Sequence, residues 1–440
     1  MKYLQKKYAL SAILIASVTT LMFCTKQNQI IDNNYSTDNQ LISVKTATPP
    51  SIDGTIDDIW ANASKLEIIP QVPDPGNNLF TGYIGNTYDA AVRSLYDNQN
   101  IYFLVEVKDN TRNVKLSPWY FNPVTKLWVQ EPSSRTYNES GVLTREGWGE
   151  DKLAFQWNID FSTPKFITQT CYASCHVFTP YLDYSTTPAV MKSNASSGNH
   201  YTNGVNEKID MWWANPGRGL EFGKMDDNYQ DWAGGPAVTN LTGGNANGRH
   251  YDDLVVSGLS ATWPYRPNYT ADATQGSINN RQSLKLNGNG ATVSVPLFFK
   301  PNTSNYDFIT IADTSTGNAV KITGVSATGV LTYSGGTIDP NVGTDYQQIG
   351  DPVTGGEGAK CIPGVIISPV VNGRADIDCI SVYTGSGWIY EIKRLLKTGD
   401  VLKQDIDFTS LVDQQFGMAV WNGSNYQHGI KPNLLLKFKK

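Results

Sequence analysis

Runs of β-branched and aromatic residues, each about one strand long and each closed by Asn, Asp or Gly, leave this chain few choices of fold. Ala91–Tyr96 and Ile101–Val107 are two such runs, and Asp97-Asn98-Gln99-Asn100 between them carries the turn chemistry of a hairpin. In Lys152–Ile159, Leu153, Phe155 and Trp157 alternate with Ala154, Gln156 and Asn158, the period of two that puts one set on a buried face. Leu41–Val44, Gly387–Ile392, Gly417–Trp421 and Leu434–Phe438 repeat the pattern towards both ends. No long amphipathic helix and no internal repeat interrupts them. Eleven Trp and 23 Tyr give the runs bulk to bury, and 39 Gly with 22 Pro supply the turns. The reading is an all-β chain, an antiparallel β-sandwich with long loop-rich insertions.

The sandwich is expected over residues 41–440, with an insertion at about 177–360 that is rich in Gly, Asn, Thr and Tyr. Long loops on such a scaffold carry a site or cover one. Alternation returns at Ala291–Val295, so the block around 280–350 reads as an inserted hairpin or a small lobe. A net charge of -5 without a basic stripe argues against nucleic acid as a partner.

The first residues point to export. Lys2, Lys6 and Lys7 precede an apolar stretch over Tyr8–Phe23, so residues 1–24 read as a signal peptide. Cys24 follows Leu21-Met22-Phe23, which resembles a bacterial lipoprotein cleavage site, although Phe23 stands where a small residue is usual. Lipidation of Cys24 is the expectation; an uncleaved anchor and ordinary secretion are the alternatives. Residues 25–40 read as a polar tether. The chain is thus expected in the periplasm or at the outer membrane of a Gram-negative bacterium.

Cys171-Tyr172-Ala173-Ser174-Cys175-His176 concentrates chemistry. Two of the five cysteines and one of the four histidines lie within it. Two cysteines followed at once by His is the attachment signal of c-type haem: the thiols add to the vinyl groups and the imidazole ligates iron. The usual spacing has two residues between the cysteines, and here there are three. On the residues alone, covalent haem, a strained local disulfide and a redox pair stay open. Lipid on Cys24 and haem on Cys171 and Cys175 leave Cys361 and Cys379, expected as a disulfide across neighbouring strands. It closes a loop of about 17 residues, worth roughly 3 kcal/mol by chain entropy.

Several segments resemble one family in order. Ser51–Trp60 resembles the opening of sandwiches of the family-9 carbohydrate-binding type, and Leu95-Tyr96-Asp97, Asn100–Phe103 and Lys108–Thr111 continue it. Glu150–Phe155, Ile209–Trp213, Trp388–Arg394 and Met418–Gly423 are similar to a narrower branch, the ethylbenzene dehydrogenase-related haem-binding domain. That branch includes the cytochrome c-552 and haem subunits of dimethyl-sulfoxide-reductase-type enzymes. The resemblance spans roughly residues 45–438. It implies a haem at one end of the sandwich, held from a mid-chain loop and from near the C-terminus. Haem subunits use a methionine in the loop and a lysine after the late strand. Members with covalent haem put a Cys-x-x-x-Cys-His loop in the methionine's place.

The resemblance thus implies haem c on Cys171 and Cys175, iron on His176, and Lys431 as second axial ligand. His428 is the alternative ligand, being of the commoner type. Met211 and Met418 are weaker choices, and Met418 suits packing better. Trp212, Trp213 and Trp421 are candidates to wall the ring or to fill the core. Arg218 could bond a propionate with Asp210 orienting it, and His200 and His250 read as exposed loop residues. The function so implied is electron transfer to redox partners in the periplasm or membrane, alone or as the haem subunit of an oxidoreductase, rather than catalysis by this chain. The alternative is a surface-anchored sugar-binding sandwich without haem, suited to the aromatic content. Motifs for a serine nucleophile, a zinc hydrolase or a phosphate loop do not occur. The carboxylate pairs Asp226-Asp227 and Asp252-Asp253 lack the spacing of a calcium loop.

Overall fold

The structure, a computed structural model, describes residues 37–440 except 75–79, 165, 167–180, 184–189, 193–201, 203–205, 232–248, 253–254, 260–266, 271–275, 302, 304–305, 343–345, 351–355, 357 and 402. The expected signal peptide, Cys24, nearly all of the tether, and the Cys171–His176 loop lie outside the described residues.

Twelve strands make one large sheet. In chain order they are β1 (Gln40–Lys45), β2 (Leu66–Ile68), β3 (Ala90–Tyr96), β4 (Asn100–Lys108), β5 (Lys152–Asn158), β6 (Ile209–Ala214), β7 (Asp226–Gln230), β8 (Arg249–Tyr251), β9 (Ile377–Tyr383), β10 (Gly387–Leu395), β11 (Gln414–Trp421) and β12 (Gly429–Lys439). Their spatial order is β8-β7-β6-β5-β11-β12-β1-β3-β4-β10-β9, with β2 beside β3. The sheet rolls until its two ends meet: Met225 N–H donates to Ile377 O and Cys379 N–H to Gly223 O. β1 departs from the antiparallel expectation, since it pairs parallel with both β12 and β3.

Alternation explains the packing. Phe103 on β4 meets Phe155 and Trp157 on β5 and Trp212 on β6, at centroid distances of 5.6, 5.8 and 5.9 Å. These rings join the two faces of the sandwich, and Val92, Ile392, Phe416 and Leu434 complete its core. The β3–β4 turn forms because Asp97 Oδ1 accepts the N–H groups of Gln99 and Asn100, both at 2.7 Å.

A second core lies under the insertion. Val295, Phe299, Ile322 and Leu331 pack with Trp119, Phe121 and Trp128 from an earlier hairpin, Trp119–Asn122 with Leu127–Gln130. The small lobe is therefore built from two separated parts of the chain. Its Ile311–Thr316 segment is the one α-helix named among the described residues, and no described helix is long and apolar enough to cross a membrane.

The disulfide expected between Cys361 and Cys379 does not form: both thiols are free and buried. Cys379 lies opposite Ile392 and packs in the main core. Cys361 adjoins Ile362, which bridges to Trp119 in the second core. Cys379 is thus fixed in the main core, whereas Cys361 neighbours a residue of the second. Burial pushes the Cys361 thiol up to about 12 and raises Cys379 as well, so both behave as inert apolar side chains.

Candidate functional site: an aromatic shelf on the outer face of the sheet

β6, β5 and β11 are neighbours, and their register sets a row of side chains on the face turned away from the main core. Trp213, Ala154 and Ala419 stand opposite one another, with Lys152 opposite Trp421 in the next row. Leu153, Phe155, Met418 and Val420, which alternate with these residues, point into the core. The alanines are small enough to leave the two indoles close together, with centroids 6.1 Å apart.

The segment after β11 brings a third ring. Asp151 Oδ1 accepts Gly423 N–H at 2.9 Å, and Asn425 N–H donates to Ser134 Oγ at 2.8 Å. The chain then returns so that His428 stacks on Trp421 at 4.2 Å and 27°. Phe80 approaches the imidazole edge-on at 5.8 Å. His428 Nδ1 lies 2.6 Å from Tyr426 O. With the proton on Nδ1 donated to that carbonyl, the lone pair sits on Nε2, the atom through which a neutral imidazole binds metal.

Two cations attend the indoles. Lys152, 1% exposed, holds Nζ 5.6 Å from the Trp213 ring and 5.5 Å from the Trp421 ring. Its ammonium is 4.0 Å from Glu150 Oε2. Burial raises the Glu150 carboxyl, and Lys152 opposes that shift. Glu150 Oε1 accepts Gly217 N–H at 2.5 Å, and a side chain at residue 217 would displace the Glu150 carboxylate. Arg218 lies 4.7 Å over Trp213 and donates to Asp226 Oδ2 and Tyr251 Oη, both at 2.9 Å. Burial works against ionisation of Asp226, but Arg374 and Arg218 outweigh it and hold the carboxyl low.

The structure brings Trp421 and His428 together and separates other expected residues from them. Trp212, expected as a wall, is 0% exposed in the main core. Successive residues of a strand face opposite ways, so Trp213 takes its place beside Trp421. Lys431 is partly exposed and pairs in register with Met418, a core residue. Met211 is buried, its Sδ 3.9 Å from Gln156 Nε2. Asp210 does not orient Arg218; it faces Arg394 at 3.6 Å. His250 belongs to β8 rather than a loop, and His200 lies outside the described residues. Phe80, Glu150 and Lys152 were not foreseen as part of a site. Of these only Lys152 left a signal, a charge inside an otherwise uncharged strand.

Asp151 ties the shelf to the sandwich. Its carboxylate accepts Asn113 N–H at 2.7 Å and Trp388 Nε1–H at 3.0 Å besides Gly423. Burial, then the nearby Asp109, pushes its carboxyl up to about 7. The unfolded group titrates near 3.8, so between that pH and about 7 the folded chain holds a proton that the unfolded chain has lost. Stability is therefore expected to fall as pH rises through this window. Urea unfolding at pH 4.5 and 7.5 checks it, with a smaller difference expected in Asp151→Asn; equal differences in both proteins assign the effect elsewhere.

The ethylbenzene dehydrogenase family profile matches residues 57–432. No curated protein matches significantly. Among solved structures, a family-9 carbohydrate-binding module from Caldicellulosiruptor kristjanssonii in complex with glucose is similar at 8% identity and a TM-score of 0.27, covering 91% of this chain and 95% of that one. The same organism's family-9 module with cellotriose gives 9% identity and a TM-score of 0.25, over 91% and 93% of the two chains. Superpositions this loose carry no weight, whereas the profile runs through both the main sheet and the small lobe. The chain belongs to the ethylbenzene dehydrogenase family.

Proposed function

We propose that this chain is an exported electron-transfer protein carrying one covalent haem c, either alone or as the haem subunit of an oxidoreductase, with redox partners in the periplasm or membrane. The observation that carries the reading is Cys171-x-x-x-Cys175-His176 in a chain of this family. In this reading the two thiols anchor the ring and His176 is one axial ligand. The shelf suits the edge of a porphyrin: Trp421 and Phe80 give aromatic surroundings, His428 a ring nitrogen, and the partly exposed Arg218 positive charge for a propionate. His428 is favoured over Lys431 as second ligand because it stacks on Trp421, while Lys431 is paired with a core-facing residue. Bound haem supplies a one-electron couple; the protein's part is to orient the ring, exclude water and set the potential through ligand and burial. Neither candidate pair includes a sulfur donor, so a lower potential than that of a His/Met cytochrome is expected.

Pyridine haemochrome spectra and haem-stained denaturing gels of protein from cells competent in haem attachment test this. Covalent haem is expected in the native chain and complete loss of it in Cys171→Ser/Cys175→Ser. Colourless native protein, or a bond between the two sulfurs, overturns the reading. His428→Ala is expected to convert low-spin iron to high-spin, and Lys431→Ala to leave it low-spin; the reverse assigns the lysine.

A further inference from the structure

We propose that Asp210, Asp227 and Asp405 form a binding site for a hard divalent cation, calcium, at the end of the main core. Asp210 comes from β6 and Asp227 from β7, while Asp405 comes from the segment that follows β10. One carboxylate oxygen from each lies within 4.8 Å of the others. Three oxygens no farther than 4.8 Å from one another lie within about 2.8 Å of a common point, close to the calcium–oxygen range of about 2.3–2.6 Å.

The site is distinct from the aromatic shelf. Asp210 shares its strand face with Trp212, and Asp227 stands opposite Trp212 in register, so both are on the core side of the sheet. Asp210 is 0% exposed and Asp227 likewise.

Asp227 carries the inference beyond a mere collection of acids. Asp210 Oδ2 accepts Ile406 N–H at 2.9 Å, and Asp405 Oδ2 accepts the Thr398 hydroxyl. Both oxygens of Asp227 lack a hydrogen-bond partner among the described residues. An ionised carboxylate there needs donors, and no hydrogen bond from the described residues reaches either oxygen. A cation between the three groups satisfies it.

Charge agrees. Arg394 is the cation at this place, 3.1 Å from Asp405 Oδ1 and 3.6 Å from Asp210 Oδ2. The carboxylates outnumber the one guanidinium, and a divalent ion offsets the excess of negative charge. Asp252, whose N–H reaches Asp227 O at 3.4 Å, brings a further carboxylate into the same field. The donors are all oxygen, the ligand type that suits magnesium, calcium and manganese. Magnesium keeps several waters, whereas calcium accepts an all-protein shell, and a buried site suits the second.

The test uses the full chain with its native cofactor content. After dialysis against EGTA and then buffer, calorimetric titration with CaCl2 is expected to show binding that Asp227→Asn weakens at least about tenfold. The Tm of the wild type is expected to rise by at least about 3 °C in excess calcium. Elemental analysis of protein never exposed to chelator is expected to find one calcium per chain, with haem absorbance unchanged by its removal. Binding of equal strength in Asp227→Asn overturns the assignment, as does native protein with neither bound calcium nor a thermal response. If Asp227→Asn does not fold, those two wild-type measurements decide alone.

Discussion

Arg394→Ala is expected to lower the unfolding free energy by about 3–5 kcal/mol, the cost of stripping a buried carboxylate group of its counter-charge. Arg394 is 1% exposed and reaches both β6 and the segment after β10. Its guanidinium faces Asp405 and Asp210, Nη1 donates to Ile406 O at 2.9 Å, and the plane lies 5.1 Å over the Trp212 ring. The neighbouring carboxylates keep it charged despite burial. Alanine leaves the acids facing one another and opens space beside Trp212. Arg394→Lys is expected to recover only part of the loss, because an ammonium cannot serve two carboxylates and a carbonyl with a planar fork. Guanidinium denaturation in chelator, with the slope monitored, measures the effect. A change in Arg394→Ala below about 1 kcal/mol means that the acids are neutralised without it.

Calcium in excess sharpens the experiment. With the ion bound, part of the repulsion released by Arg394→Ala is offset, so the variant's deficit is expected to shrink relative to that measured in chelator. The wild type and the variant then differ in their calcium response, which a loss of packing alone does not produce.

Much of the sandwich was legible in the sequence because period two survives wherever one face of a strand is dry. The hairpin of β3 and β4, and strands β5, β10 and β11, lie where the alternation puts them, with β5 one residue shorter and ends of the others extended by one to three residues. The parallel placing of β1 between β12 and β3 was not legible, since it rests on contact between the two ends of the chain. The site shows the same division. His428 and Trp421 are seven residues apart and stack through a local turn, so naming both required no long-range knowledge. Choosing Trp213 over Trp212 required knowing which face of β6 adjoins Trp421, and only the register with β5 supplies that. The paired carboxylates point apart, as adjacent residues on a strand do. Asp227 acts with Asp210 and Asp405 rather than with its neighbour Asp226, which turns to the opposite face and bonds Arg374 and Arg218. The Cys361–Cys379 pairing failed because counting cysteines does not show which segments lie side by side.

Trp157→Ala is expected to cost about 3–5 kcal/mol, as for other large aromatic truncations in a dry core. Trp157 is 0% exposed and lies where the two faces of the sandwich meet. Its ring stacks on Phe416 at 4.8 Å and on Phe155 at 5.9 Å, meets Phe408 edge-on at 5.2 Å, and touches Trp212 and Phe103 at 5.0 and 5.8 Å. Strands β4, β6 and β11 and the segment after β10 therefore all lose a partner at once, and none can close the gap without breaking its ladder. The indole N–H makes no hydrogen bond among the described residues, so the ring acts through volume and shape. Trp157→Phe, which keeps a ring there, is accordingly expected to cost about 1–2 kcal/mol. Denaturant midpoints for the two variants measure the contrast. Equal losses for Ala and Phe would show that the whole indole, and not merely a ring between the faces, is what the core requires.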